Sequence, residues 1–279
     1  MSVVLAVKVS EGLVLASDSA ATLKGQMEGA DGSIREGILK TFYNVKKLLQ
    51  IGDFPIGILT WGQAFVGART VESLVREWEH EEGWESKEQY QEQKDGKFEV
   101  EACAESLREH VSEIYTEEYS SEDPQNSPPL GMIVAGYTER AFFPEIWRFV
   151  LPHDIDGSVH RQRPDQDGKP SFGASWFGRT DSIVRLHFGR DNRLIDQVSE
   201  KFDISKEELL DVLSPLEYKI PFDVMPLEEA IDFAYYMINV AIGRYKFAVG
   251  PEYCGGNVEI GAITRNKFEK ITKKPIIEG

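Results

Sequence analysis

Apolar residues run almost unbroken through the first stretch of the chain. Residues 2–9 (SVVLAVKV) are β-branched and apolar, and residues 12–18 (GLVLASD) follow after Ser10-Glu11. Two such runs parted by a polar pair predict a buried antiparallel hairpin. Residues 22–40 are polar and carry Gly25, Gly29, Gly32 and Gly37, which predicts a loop. The segments KKLLQIG and FPIGILTWG, parted near Gly52-Asp53, predict a second pair of strands.

The period then changes. Val71, Leu74, Val75 and Trp78 recur at i, i+3, i+4 and i+7, the apolar stripe of a helix. Val100, Ala104, Leu107, Val111 and Ile114 predict a second helix. Between them, EHEEGWESKEQYQEQKDGKF is charged without an apolar period and predicts a solvated helix extension or surface insertion. Beyond the Pro-rich connection at 121–130, GMIVAGYT, PEIWRFVL and SFGASWFG predict strands, with DIDGSVHRQRPDQDGKP as a loop between the last two. Helices are expected near 181–190, 205–213 and 227–243, and a last strand around GGNVEIGAIT. Strands and helices in segregated blocks argue for α+β layers over alternating βαβ units. The expectation is one domain over 1–279, with surface insertions near 23–40, 80–98 and 153–170.

Composition narrows the class. With 41% hydrophobic and 28% charged residues, the chain is neither disordered, collagen-like nor a small disulfide scaffold. A net charge of −16 repels phosphate backbones and anionic lipid faces, so neither nucleic acid nor a membrane is an expected partner. Cys103 and Cys254 form no CxxC, which excludes a zinc ribbon or redox motif and fits a reducing compartment. The apolar start lacks a basic region and stops at Lys8, unlike a signal peptide, and AIDFAYYMINVAIG is short and carries Asp232. A cytoplasmic location is the expectation.

Common catalytic motifs are missing. There is no P-loop and no GxGxxG; GASWFG places Gly178 one position too far from Ser175 for GxSxG; and His80 is followed by Glu-Glu-Gly-Trp, which breaks HExxH. DIDG and DQDG are turns without EF-hand spacing. The histidines are dispersed, and each reads as a surface or packing residue.

What stands out is Ser2, a hydroxyl residue opening a buried strand. Removal of Met1 ahead of this small residue would free its α-amine. That amine has a pKa of about 7.7–8.0, so near neutrality a sizeable fraction is unprotonated and able to accept a proton. Ser2 would then carry nucleophile and base in one residue.

The surrounding segments resemble the proteasome β subunit and its relatives, the N-terminal nucleophile hydrolases. The resemblance begins with Ser2-Val3-Val4, continues through GLVLASDSAAT with Asp18, and resumes at NVKKLLQI with Lys47 and ILTWGQAF with Gly62. It goes on through MIVAGYT, PEIWRF and the GAS of 173–175, and closes on YCGGNVEIGAI. The resemblance implies a four-layer αββα sandwich. It puts Ser2 at the nucleophile, Lys47 as a cation beside its hydroxyl and Asp18 as the carboxylate orienting Lys47. The N–H of Gly62 would form the oxyanion hole, and Ser175 and Cys254 would stand where two supporting hydroxyls flank the terminal amine. Lys46 adjoins Lys47, and in a strand only one of two neighbours can face Ser2.

The chain departs from the family in places. Serine replaces the usual threonine and loses the methyl that restricts its rotamer. The stretch between Asp18 and Lys47 is longer than in typical members. The family's RDAYSGG run becomes GRYKFAVGPEYCGG, which lacks the aspartate at the amine and leaves Glu252 as a substitute. The VGP element and the minimal propeptide look more like the bacterial Anbu branch.

The resemblance implies a peptidase acting on peptides or unfolded polypeptides through an acyl-enzyme, needing no metal or cofactor. It also implies a homo-oligomeric ring or helical stack, for which Trp61, Phe65, Trp78 and Trp84 are candidate covered residues; any unfoldase partner is left open. Two alternatives stand beside it: a silent structural subunit if Met1 is retained, because an amide nitrogen is no base, and a small-molecule amidase on the same fold.

Overall fold

In the computed structural model, residues 2–28, 33–94, 97–120 and 127–274 are described. The chain begins with strands β1 (Val3–Val9), β2 (Gly12–Ser17), β3 (Ala21–Glu28), β4 (Ile34–Phe42), β5 (Leu48–Gln50) and β6 (Ile56–Gly62). A small ribbon, β7 (Phe65–Val66) and β8 (Arg69–Thr70), leads into helices α1 (Val71–Glu82), α2 (Lys87–Lys94) and α3 (Val100–Tyr119). Strands β9 (Leu130–Gly136), β10 (Glu145–Leu151), β11 (His160–Gln162) and β12 (Gly173–Gly178) follow. Helices α4 (Asp181–Phe188), α5 (Asn192–Phe202), α6 (Lys206–Leu213) and α7 (Leu227–Phe247) precede the closing strands β13 (Glu259–Ile263) and β14 (Phe268–Ile271).

The architecture is mixed α+β, built on antiparallel sheets. One five-stranded sheet has the order β12-β1-β2-β13-β14 and another the order β11-β10-β9-β6-β5. Strand β1 is therefore interior to its sheet, with Val4 opposite Ser17 on β2 and Val3 opposite Gly178 on β12.

The unbroken apolar sequence of β1 has a physical cause: both of its faces are covered. Val3, Leu5, Val7 and Val9 share an apolar cluster with Ala230, Ala234, Ile238 and Ala241 of α7. Val4 and Ala6 point the other way, as successive strand residues must, into a cluster with Leu59, Ile133 and Ile146 of the second sheet. The remaining face of that sheet, through Ile58, Met132, Val134 and Phe149, meets Leu74, Trp78, Leu107 and Val111 of α1 and α3. The ends of α1 follow from local sequence. The Thr70 hydroxyl accepts the Ser73 N–H at 3.1 Å, and Gly83 closes the helix in the left-handed region. On α7, Glu11 of the first hairpin turn supplies the cap, accepting the Leu227 N–H at 2.7 Å.

Several expectations change. Residues 22–40 do not form a loop: β3 and β4 pair as a hairpin with Gly25 opposite Gly37. A Cβ on Gly25 would lie 2.5 Å from Leu39, and one on Gly37 would lie 2.5 Å from Met27. These glycines make room for large neighbours on the ribbon and do not break it. Gly29 and Gly32 lie outside the described residues, as do residues 121–126 of the Pro-rich connection.

The charged segment after α1 is anchored, not solvated throughout. Trp84, Tyr90 and Phe98 are buried around Phe54, with ring centroids 5.2, 5.8 and 5.1 Å from it. Trp78 and Trp84 stack on each other at 5.8 Å. Both are committed to this chain's own core, which corrects their expected place on an assembly surface. Helix α5 and strands β11 and β14 were not expected from the pattern, and β11 falls inside the expected 153–170 loop.

Candidate active site

The start of β1 and the end of β2 place Ser2 beside Asp18. Ser2 is 4% exposed. Its carbonyl accepts the Arg179 N–H at 2.7 Å. This approach requires glycine at 178, where φ is +85° and a Cβ would lie 2.0 Å from the Ser2 carbonyl oxygen. Asp18 is fully buried and saturated with donors. Its Oδ1 accepts the Val3 N–H at 3.0 Å and the Lys47 ammonium at 2.6 Å. Its Oδ2 accepts the N–H groups of Ala20 at 3.3 Å and Gly255 at 3.0 Å.

Lys47 is held at three points. Its N–H donates to Glu259 Oε2 at 3.1 Å, its carbonyl accepts the Thr60 N–H at 3.0 Å, and its Nζ also donates to the Ala20 carbonyl at 2.5 Å. An ammonium has three N–H donors. Asp18 and Ala20 take two of them, and Lys47 also lines a cleft with Ser2. Lys46 turns the other way, exposed and paired with Glu72 at 2.6 Å. Both lysines precede β5, so strand alternation does not choose between them; the bonds to Asp18, Glu259 and Thr60 do.

The cleft that Ser2 lines holds about 160 Å³ and has walls that include Thr60, Trp61, Gln63 and Phe65. Trp61 stacks on Phe177 at 4.8 Å. Gly62, between Trp61 and Gln63, ends β6 with φ at +89°, and a Cβ there would lie 2.2 Å from the Pro129 carbonyl oxygen. Backbone approach thus demands glycine at 62 whatever its N–H does.

Cys254 joins this group and Ser175 does not. Cys254 is buried next to Gly255, which bonds Asp18. Burial pushes its thiol pKa up, reinforced by the Asp18 charge and opposed by Lys47. A raised pKa disfavours the thiolate, the form in which a cysteine acts as a nucleophile. Ser175 pairs with Ala6, while Gly178 pairs with Val3. Ala6 is four residues along β1 from Ser2, a separation of about 13 Å at strand rise. The expectation that Ser175 flanks the amine is therefore corrected; the β12 side presents Gly178 and Arg179 to Ser2. Glu252 is exposed and accepts the Tyr43 hydroxyl at 3.5 Å. It lines a separate cavity of about 870 Å³, which Ser2 does not line and which lies against the Cys254–Ile260 segment.

Three residues that the sequence reading missed belong here. Glu259 fixes the Lys47 backbone, and the only signal was a single acid in the apolar stretch VEIGAI. Thr60 lines the cleft and has a buried hydroxyl without a partner. Asp181, two residues past Arg179, accepts the Tyr245 hydroxyl at 3.0 Å and pairs with Arg244 at 3.2 Å. Among the described residues, no group of three or more His, Cys, Asp or Glu could hold a metal ion, and no helix is long and apolar enough to cross a membrane.

Compared with protein-family models and with curated proteins, the chain matches neither a family model nor a curated protein.

Proposed function

We propose that the chain is an N-terminal nucleophile hydrolase of the proteasome β-subunit type, cleaving peptide bonds through an acyl-enzyme on Ser2. The observation that carries this reading is the buried Lys47–Asp18 ion pair, 2.6 Å long, on a cleft that Ser2 also lines. A buried ion pair is a weak source of stability, because desolvation offsets the attraction. Its position beside a strand-opening serine gives it a chemical use. The three apolar clusters support reading the two large sheets and their flanking helices as a four-layer αββα sandwich.

In this mechanism the α-amine freed by loss of Met1 takes the proton from Ser2 Oγ as the oxygen attacks the carbonyl carbon. The third N–H of Lys47 stabilises negative charge on Oγ, and the Gly62 N–H stabilises the tetrahedral oxyanion. The amine returns the proton to the departing nitrogen, leaving an ester, and then activates water to release it. A cleft of about 160 Å³ accepts a single side chain of an extended peptide. That small volume also suits an amidase whose acyl group is no larger than an amino acid. Enclosure of the cleft by further copies in a ring or helical stack would cover Leu23, Ile34 and Leu39, which the β3–β4 hairpin exposes.

The test is intact-mass analysis after incubation with a peptide electrophile that captures an amine and a hydroxyl of the same residue. Wild-type protein lacking Met1 should gain a single adduct and Ser2→Ala none. An adduct of equal yield on Ser2→Ala, or none on a wild type lacking Met1, sinks the reading. Cleavage of amino-acid amides without cleavage of longer peptides would transfer it to the amidase.

A further inference from the structure

The other end of β1 carries a second buried lysine, and its surroundings are the opposite of those of Lys47. Lys8 is 1% exposed, yet its closest carboxylate is Asp165 Oδ1 at 3.9 Å, beyond hydrogen-bond reach. Opposite Lys8 on β12 stands Gly173. Residues directly opposite in an antiparallel pair present their side chains to the same face. A Cβ on Gly173 would lie 2.6 Å from Arg163 Cζ, so the Arg163 guanidinium occupies the space that side chain would fill. A lysine ammonium and an arginine guanidinium therefore share one face of the sheet, side by side.

Arg161 completes the cluster, reaching Asp165 Oδ2 at 3.4 Å. The Nε atoms of both Arg161 and Arg163 are buried without a partner. Arg163 spends its other nitrogens on the carbonyls of Phe172 and Ala174. Glu145, the second carboxylate felt by Lys8, accepts the Trp147 indole N–H at 2.9 Å. Burial lowers the Lys8 pKa, Asp165 raises it, and Arg161 lowers it further. Three cations thus face two carboxylates, neither of which bonds Lys8, in a chain whose net charge is −16. Buried polar nitrogens of this kind are ordinarily satisfied by protein, water or an ion.

We propose that Lys8, Arg161 and Arg163 form a binding site for a small tetrahedral oxyanion of the phosphate or sulfate type. Such an ion, seated where Asp165 now lies between Lys8 and Arg161, offers several acceptor oxygens to these cations and removes the repulsion among them. The site opens where the Asp165 side chain is 45% exposed, and this carboxylate is the group an incoming anion would displace. Lys8 lies six positions along the chain from Ser2, about 20 Å at strand rise. The site therefore stands or falls independently of any chemistry at Ser2.

Isothermal titration calorimetry of the whole chain with inorganic phosphate, against sodium chloride at matched ionic strength, tests it. Wild type should bind phosphate saturably, and Lys8→Met and Arg161→Gln should each weaken binding by about tenfold or more. Lys8→Met should also unfold no more easily than wild type in phosphate-free buffer, because it removes a buried charge whose one carboxylate partner lies beyond hydrogen-bond reach. If Lys8→Met does not fold, Arg161→Gln, whose side chain is partly exposed, decides the matter alone. Phenyl phosphate matching inorganic phosphate assigns an esterified phosphate, and weaker binding assigns the free ion. No saturable heat on wild type, or an unchanged affinity in Arg161→Gln, overturns the site.

Discussion

Asp18 holds more of the site together than any other side chain. It gathers the Val3, Ala20 and Gly255 N–H groups and the Lys47 ammonium, and so ties the start of β1 to the segment before β13. Asp18→Ala should cost about 3–5 kcal/mol in urea unfolding, since it strands a buried cation. Lys46→Ala should change stability by less than about 0.5 kcal/mol, because the Lys46–Glu72 pair is exposed. Equal small losses in the two variants would show that the buried pair anchors nothing. Asp18 and Lys47 could be picked from the sequence through a resemblance of ordered segments. Ser175 was misplaced because strand register is a pairing between distant segments that a local pattern does not encode; a shift of three residues along β12 separates it from Gly178, which meets Val3.

Among the elements, those with continuous apolar cores were legible. Strands β1, β2, β6 and β9 and helices α1, α3 and α7 follow from runs or stripes that bury against neighbours. Elements with less burial were not. Only Ile195 is buried on α5, so its stripe resembles a solvated segment. The β3–β4 hairpin hides behind glycines that usually signal loops. In the charged stretch around α2, aromatic residues spaced outside any helical period still pack on Phe54. Trp84→Ala should therefore cost about 3–5 kcal/mol in denaturant unfolding, as other large buried aromatics do. A cost below about 1 kcal/mol would restore the surface-insertion view of this segment.

For the whole molecule, alkaline pH should erode stability in a defined window. Burial raises the phenol pKa of Tyr137 to about 12, with Arg265 opposing, and raises that of Tyr245 to about 12, reinforced by Asp181; the ordinary value is 10.0. Between these values the unfolded chain releases phenolic protons that the folded chain retains, so folding is favoured less as pH climbs from 10 towards 12. Unfolding free energies measured across this range should fall, and Tyr137→Phe should flatten part of the fall. A profile identical in Tyr137→Phe and wild type contradicts the assignment. The interior seat of β1 has a consequence for biosynthesis. Of its two hydrogen-bonding neighbours, β2 follows at once, but β12 begins at Gly173, and β2 in turn pairs with β13 at Glu259–Ile263. The β1–β2 hairpin thus stays without the strands that flank it on either side until most of the polypeptide has emerged. Its valines and leucines meanwhile are a sticky surface that slow, non-local pairing leaves open to chaperones.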